Sequence, residues 1–112
     1  MNNILSEFKK VCSYSELKEK VGKKFFVDDV EIAIFKVENE IFAVSNICPH
    51  QKTHLIHEGL VENCKVICPV HGWEFDLKTG QLPSNRKGLN TYEVEVINDN
   101  VYVKAKKDEY KW

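Results

Sequence analysis

Residues 48–80 read CPHQKTHLIHEGLVENCKVICPVHGWEFDLKTG. Within them Cys48-Pro49-His50 is followed, after seventeen residues, by Cys68-Pro69-Val70-His71-Gly72-Trp73, so each of two short segments offers one thiol and one imidazole. Cys-x-His and Cys-x-x-His place both donors of a segment on the same side of a tight bend. Pro49 and Pro69 restrict φ there and remove a competing backbone donor. Gly72 lets the backbone turn close to an inorganic centre without a side-chain clash. Apolar runs in this stretch are short, as at Val66-Ile67 and Trp73 to Phe75, so about 46–88 reads as a loop-rich insert.

The flanks read as β-structure. Phe25 to Val27 and Val30 to Val37 are strand-like, with Ile32, Ile34 and Phe35 set among polar residues, and Ile41 to Val44 returns after Glu38-Asn39-Glu40 as a hairpin. Asn39 is the residue best suited to a positive φ at its tip. Tyr92 to Ile97 alternates apolar and acidic positions, Asn98-Asp99-Asn100 is a turn, and Val101 to Val103 closes a second hairpin. Ser13 and Glu16 resemble a capping box, and with Leu17, Lys20 and Val21 before Gly22 they predict one short helix of about two turns, packed as a lid. Pro83 to Gly88 reads as an exposed loop, and no internal repeat interrupts the chain.

The sequence has 112 residues, 43% hydrophobic and 29% charged, the profile of one globular domain over 1–112. Sixteen Lys and Arg against seventeen Asp and Glu leave a net charge of -1, so neither nucleic acid nor an anionic membrane is an expected partner. Lys104 to Trp112 reads as a solvated charged end, with a basic docking tail as the alternative. Met1 to Lys10 lacks the pattern of a secretory signal, and no apolar stretch is long enough to span a bilayer. Four cysteines in such a chain point to the cytoplasm, where thiols more often bind metal or catalyse than form disulfides.

Two thiolates and two imidazoles also suit a tetrahedral Zn²⁺, although a zinc finger usually takes two Cys from one element and two His from the other. The longer match decides between them. Cys48-Pro49-His50 and Cys68-Pro69-Val70-His71-Gly72-Trp73, followed by Glu74-Phe75-Asp76-Leu77-Lys78-Thr79-Gly80, resemble the signature of the Rieske [2Fe–2S] ferredoxin family, and the resemblance covers most of the chain. It implies one [2Fe–2S] cluster per chain, with Cys48 and Cys68 on one iron and His50 and His71 on the other. It also implies an all-β fold, an antiparallel β sandwich or barrel with the cluster loops forming a small subdomain at one tip.

In the high-potential branch of that family each loop carries an additional cysteine, and the two form a disulfide, while a serine after His-Gly donates a hydrogen bond to cluster sulfur. The matching positions here are Thr53, Val70 and Trp73. A disulfide is impossible there and the serine donor is missing, so the resemblance implies a potential near the lower end of the Rieske range, about -150 mV. Two Fe³⁺, two sulfides and two thiolates sum to zero charge, so reduction makes only a monoanion, whereas a four-thiolate cluster starts as a dianion. Exchanging His71 for Cys therefore lowers the midpoint substantially where a cluster still assembles, and an unchanged midpoint in a redox titration contradicts this account. The second nitrogen of each ligand imidazole keeps a proton that ferric iron makes easier to lose, so the midpoint is also expected to fall at alkaline pH.

Cys12 and Cys64 lack a Cys-x-x-Cys partner and read as ordinary thiols, Cys12 in a strand. His54 and His57 read as solvated loop histidines, with docking or spare ligation as the alternative for His54. Trp73 reads as packing beneath its loop rather than as an electron relay. The family commonly has Gly or Ala where Lys52 stands and a shorter path to Gly59, so the shape of the first loop stays open.

The function implied is a stand-alone ferredoxin, a non-catalytic one-electron shuttle between a flavoprotein reductase and an oxygenase or other redox enzyme, expected as a monomer. The alternatives are the small Rieske subunit of an NAD(P)H-dependent nitrite reductase and a redox-sensing interaction module. Docking is expected around Pro49, His50, Leu55, His71 and Pro83. A terminal oxygenase would need a separate 2-His-1-carboxylate iron domain, for which the chain has no room.

Overall fold

The strand Val30–Val37 (β3) contains an unbroken buried run from Ile32 to Phe35, because both of its faces are covered. The computed structural model describes residues 7–49, 52–70, 72–83 and 88–105. Within them Ala33, Phe35 and Val37 join one apolar cluster, and Ile32 and Ile34 join another, as the two-residue period of a strand dictates. Glu40–Ser45 (β4) divides likewise, with Val44 in the first cluster and Ile41 and Ala43 in the second. β3 and β4 thus form a wall between two cores.

Around that wall Lys9–Ser13 (β1), Lys23–Val27 (β2), Thr91–Ile97 (β8) and Asn100–Lys104 (β9) complete a six-stranded antiparallel sheet in the order β1-β9-β8-β4-β3-β2. Only Ala43↔Tyr92 and Val44↔Thr91 pair β4 with β8, so the sheet bends there toward a near-barrel. Leu60–Glu62 (β5), Lys65–Ile67 (β6) and Glu74–Asp76 (β7) form a separate three-stranded sheet, whose Val61, Val66 and Phe75 pack into the first cluster. The all-β expectation holds, with the small sheet as the insert.

Tight hairpins set the registers. Pairs Val27↔Val30, Val37↔Glu40, Glu62↔Lys65 and Ile97↔Asn100 close two-residue turns at Asp28-Asp29, Glu38-Asn39, Asn63-Cys64 and Asn98-Asp99. Both residues of each turn have positive φ, the mark of the type I′ turn that matches strand twist. Asn39 does so as expected, and Glu38 shares the conformation at φ 52°. A left-handed φ costs most L-residues about 1–2 kcal/mol, while Asn tolerates it. Glu38→Asn is therefore expected to raise unfolding stability by about 1 kcal/mol, read as a higher urea midpoint at unchanged slope.

The capping residues also act as expected, since the Ser13 N–H donates to Glu16 Oε2 at 3.1 Å, but they open a single 3₁₀ turn over Tyr14–Glu16 rather than two helical turns. So short a helix is marginal on its own, and pairing with β3 competes successfully. Glu19 bridges to Lys36, the Lys20 N–H donates to the Lys36 carbonyl at 2.7 Å, and Leu17 is buried in the second cluster. The segment is a strap along the strand end. A second 3₁₀ turn spans Ile56–Glu58. His50, His71, most of the loop 83–88 and the end of the chain beyond 105 lie outside the described residues.

Candidate metal centre

Cys48 and Cys68 occupy equivalent points in two loops of matching construction. The Cys48 N–H donates to the Thr53 carbonyl at 2.9 Å, and the Lys52 N–H donates back to the Cys48 carbonyl at 2.6 Å. In the second loop the Cys68 N–H donates to the Trp73 carbonyl at 2.8 Å, and the Gly72 N–H donates back to the Cys68 carbonyl at 2.9 Å. Both bends turn at the fourth residue after the cysteine, where Lys52 has φ 60° and Gly72 has φ 76°. The first bend closes as the second does, with a lysine in a conformation that favours glycine. No described protein atom lies within 4 Å of where a Cβ on Gly72 would sit, so the chain's own demand for glycine is the backbone angle.

The small sheet holds the second loop out as the tip of the β6–β7 hairpin, closed by Ile67↔Glu74. Behind that tip, the Asp76 carboxylate accepts from the N–H groups of Lys78 and Thr79 at 2.7 and 3.1 Å. The Leu89 N–H then donates to the Gly80 carbonyl at 2.7 Å, and Gly80 has φ 78°. A Cβ on Gly80 would collide with the Leu89 carbonyl oxygen. The Asp76-to-Gly80 stretch is thus a self-capped turn that ties the small sheet to the segment entering β8. Trp73 packs on the first cluster with its ring 6.3 Å from Phe75, as the packing reading expects.

Asn46, which its place in the sequence did not single out, secures the first loop. Its side chain is 0% exposed, and among the described residues it is the buried polar side chain of the fold. The His57 backbone N–H can only donate, and it meets Asn46 Oδ1 at 2.7 Å, which fixes the amide orientation. Asn46 Nδ2 then donates to Glu31 Oε2 at 2.7 Å and to the His54 carbonyl at 3.0 Å. His57 Nδ1, 3.1 Å from Asn46 Oδ1, must carry its proton. One amide thereby clamps both sides of the loop after Cys48 to β3.

His54 and His57 are accordingly more than solvated loop residues. His54 Nδ1 lies 2.8 Å from Glu31 Oε1, with the histidine side chain 56% exposed and the glutamate 9%. Burial acts to raise the Glu31 carboxyl, but hydrogen bonds from Asn46 and His54, with the nearby charges of His54 and Lys24, outweigh it and hold the group below the usual glutamate range.

Both Cys48 and Cys68 are 1% exposed and belong to the first apolar cluster, beside Val66, Phe75 and Leu77. None of the chain's cysteines forms a disulfide. The remaining two behave as ordinary thiols: burial foremost, then the Glu16 charge, pushes Cys12 up to about 11, and burial also raises Cys64. A pair of soft sulfur donors from matched loops, buried among apolar side chains, fits an iron–sulfur centre. A sequence model of the Rieske-like [2Fe–2S] domain matches residues 7–104.

The chain belongs to the Rieske-like [2Fe–2S] domain family. It carries one Rieske [2Fe–2S] cluster. The ferredoxin component of the naphthalene 1,2-dioxygenase/salicylate 5-hydroxylase systems of a Ralstonia species is 36% identical over 86 residues, covering 75% of this chain and 80% of that protein. The 3-phenylpropionate/cinnamic acid dioxygenase ferredoxin subunit of Photorhabdus laumondii is 32% identical over 102 residues, covering 88% and 95%. Among solved structures, the ferredoxin of carbazole 1,9a-dioxygenase from Nocardioides aromaticivorans superposes with a TM-score of 0.82 at 25% identity, covering 88% of this chain and 98% of that one. In this Rieske domain the sheet order, hairpin registers and paired cysteine loops are all parts of one cluster scaffold.

Proposed function

We propose that this chain is a ferredoxin of an oxygenase system, passing single electrons from a flavoprotein reductase to an oxygenase, with Cys48 and Cys68 as ligands of one iron and His50 and His71 as ligands of the other. The observation that carries the ligand assignment is the matched pair of loops, which bring buried cysteines to equivalent positions and have His50 and His71 within three residues of them in sequence. When bound, the cluster supplies a reversible one-electron couple. The polypeptide's part is to hold the thiolates in place, exclude water from them and present the loop tips. No helix among the described residues is long and apolar enough to cross a membrane.

The docking face is formed by the loop tips. Pro49 and Leu55 are half-buried, and Pro69, Val70 and Pro83 are exposed. Apolar groups on an exposed tip suit a transient partner that must approach closely and leave again. We read 1–112 as a single domain that works in the cytoplasm as a monomer, a compartment supported by Cys12 and Cys64 being kept as thiols.

The deciding experiment is anaerobic purification followed by visible absorption, EPR of the dithionite-reduced protein and stopped-flow mixing with a reduced flavoprotein. The shuttle reading predicts a monomer with a rhombic reduced spectrum and rapid electron uptake. A colourless zinc protein overturns the cluster assignment. Stable isolation with a large nitrite-reducing flavoprotein overturns the stand-alone role.

A further inference from the structure

Thr53 Oγ1 is buried, and among the described residues it has no hydrogen-bond partner. A hydroxyl left so in a protein interior costs about 1–3 kcal/mol, so native structures rarely leave one without an acceptor. Its position in the chain narrows the choice of acceptor. Thr53 is tied directly to Cys48, whose N–H donates to the Thr53 carbonyl at 2.9 Å. The residue before it, Lys52, is exposed and has φ 60°, so the bend leaves the lysine outside while the threonine hydroxyl goes inside.

The matched loop gives the comparison. There the position bonded to the cysteine N–H is Trp73, whose ring fills the space against Phe75 and the first cluster. In the first loop the same position carries a hydroxyl in place of an aromatic ring. Thr53 thus carries a buried donor on the residue bonded to Cys48, with no acceptor for it among the described residues, and the inorganic sulfides of the centre are acceptors that arrive only with the metal.

We propose that the Thr53 hydroxyl donates a hydrogen bond to a sulfur of the iron–sulfur centre and thereby raises its reduction potential. This rests on the Rieske reading and adds to it a tuning residue on the first loop. The reduced centre carries one more negative charge than the oxidised one, so a donor to sulfur strengthens on reduction and favours that state. Removing it disfavours reduction.

The test is a redox titration of the cluster-loaded protein as wild type, Thr53→Val, Thr53→Ala and Thr53→Ser, with resonance Raman spectra of each in H₂O and D₂O. Val and Ala are expected to make the reduction equilibrium about tenfold less favourable, a fall of about 59 mV for one electron, and to reduce the deuterium shift of the Fe–S stretching bands. Ser, which keeps the hydroxyl, is expected to keep both near wild type. A purely structural role would weaken folding in all the variants without sorting the potentials by hydroxyl.

Iron content and the reduced EPR spectrum are read on every sample. Wild-type protein without the rhombic signal overturns the Rieske reading itself. Loaded Val or Ala protein with a wild-type midpoint and unchanged isotope shift overturns the Thr53 inference alone and assigns the hydroxyl to an ordered water. The two hydroxyl-free variants differ in bulk, so a folding defect in one leaves the other to decide.

Discussion

Cys68→Ala is expected to give a folded but colourless chain, without the iron, the visible absorption or the reduced EPR signal of the wild type. Cys68 is 1% exposed and packs in the same cluster as Val66 and Phe75, so an alanine there keeps the small sheet's contacts while removing a thiolate. With Cys68 gone, Cys48 is left as the one thiolate, and a single thiolate does not hold the paired irons even with both imidazoles in place. The thermal midpoint should fall with the colour, because a group bound only by the folded state stabilises it, by about 4 kcal/mol at a thousandfold excess over its dissociation constant. Cys12→Ala is the control. Cys12 lies in β1 and packs in the second cluster, on the far side of the β3–β4 wall, so that variant should lose some stability and keep its full iron. Loss of iron in both variants, or in neither, removes the ligand assignment.

The family was legible because its candidate ligands are local: a cysteine and a histidine within four residues, with a proline between them in each loop, can be read without knowing the fold. The Glu38-Asn39 and Asn98-Asp99 hairpins were legible for the same reason, since turn chemistry and strand alternation sit within a dozen residues of one another. Ser13 and Glu16 misled on length. Their capping contact is local and formed, yet the residues after it are decided by the edge of β3, where Lys20 and Glu19 find partners in Lys36 and Glu38. That competition is non-local, so it left no mark in the spacing of Leu17 and Val21.

Asn46 was missed for a related reason. It precedes Cys48 by two residues and looks like any loop asparagine, because the groups that define it are Glu31 on β3 and the backbone of residues 54 and 57. A signal was present all the same: the strand Val30–Val37 carries a glutamate next to its buried run, and a buried carboxylate needs nearby donors. His54 and His57, with their paired ring nitrogens, supplied the rest of the pattern. Thr53 is a different case, since nothing but the burial of its hydroxyl separates it from a surface threonine.

Asn46→Ala is expected to cost about 3–4 kcal/mol of unfolding free energy, a large share of the 5–15 kcal/mol typical of a domain. The truncation leaves the His57 N–H, the His54 carbonyl and one Glu31 oxygen without the partner that now meets each of them, in a place where water enters poorly. Unpaired buried groups cost about 1–3 kcal/mol apiece, and partial hydration of the new cavity keeps the sum below the simple total. Asn46→Asp separates charge from volume. It preserves the acceptor toward His57 but sets a second carboxylate against Glu31, so its folded-state pKa rises above the unfolded value. The folded protein then binds more protons than the unfolded chain, and the variant's deficit relative to wild type grows as pH rises through that range and shrinks on acidification. Urea unfolding of both variants at several pH values checks this. A pH-independent deficit for Asn46→Asp would show that the carboxylates do not face each other, and the clamp on the first cluster loop would need another explanation.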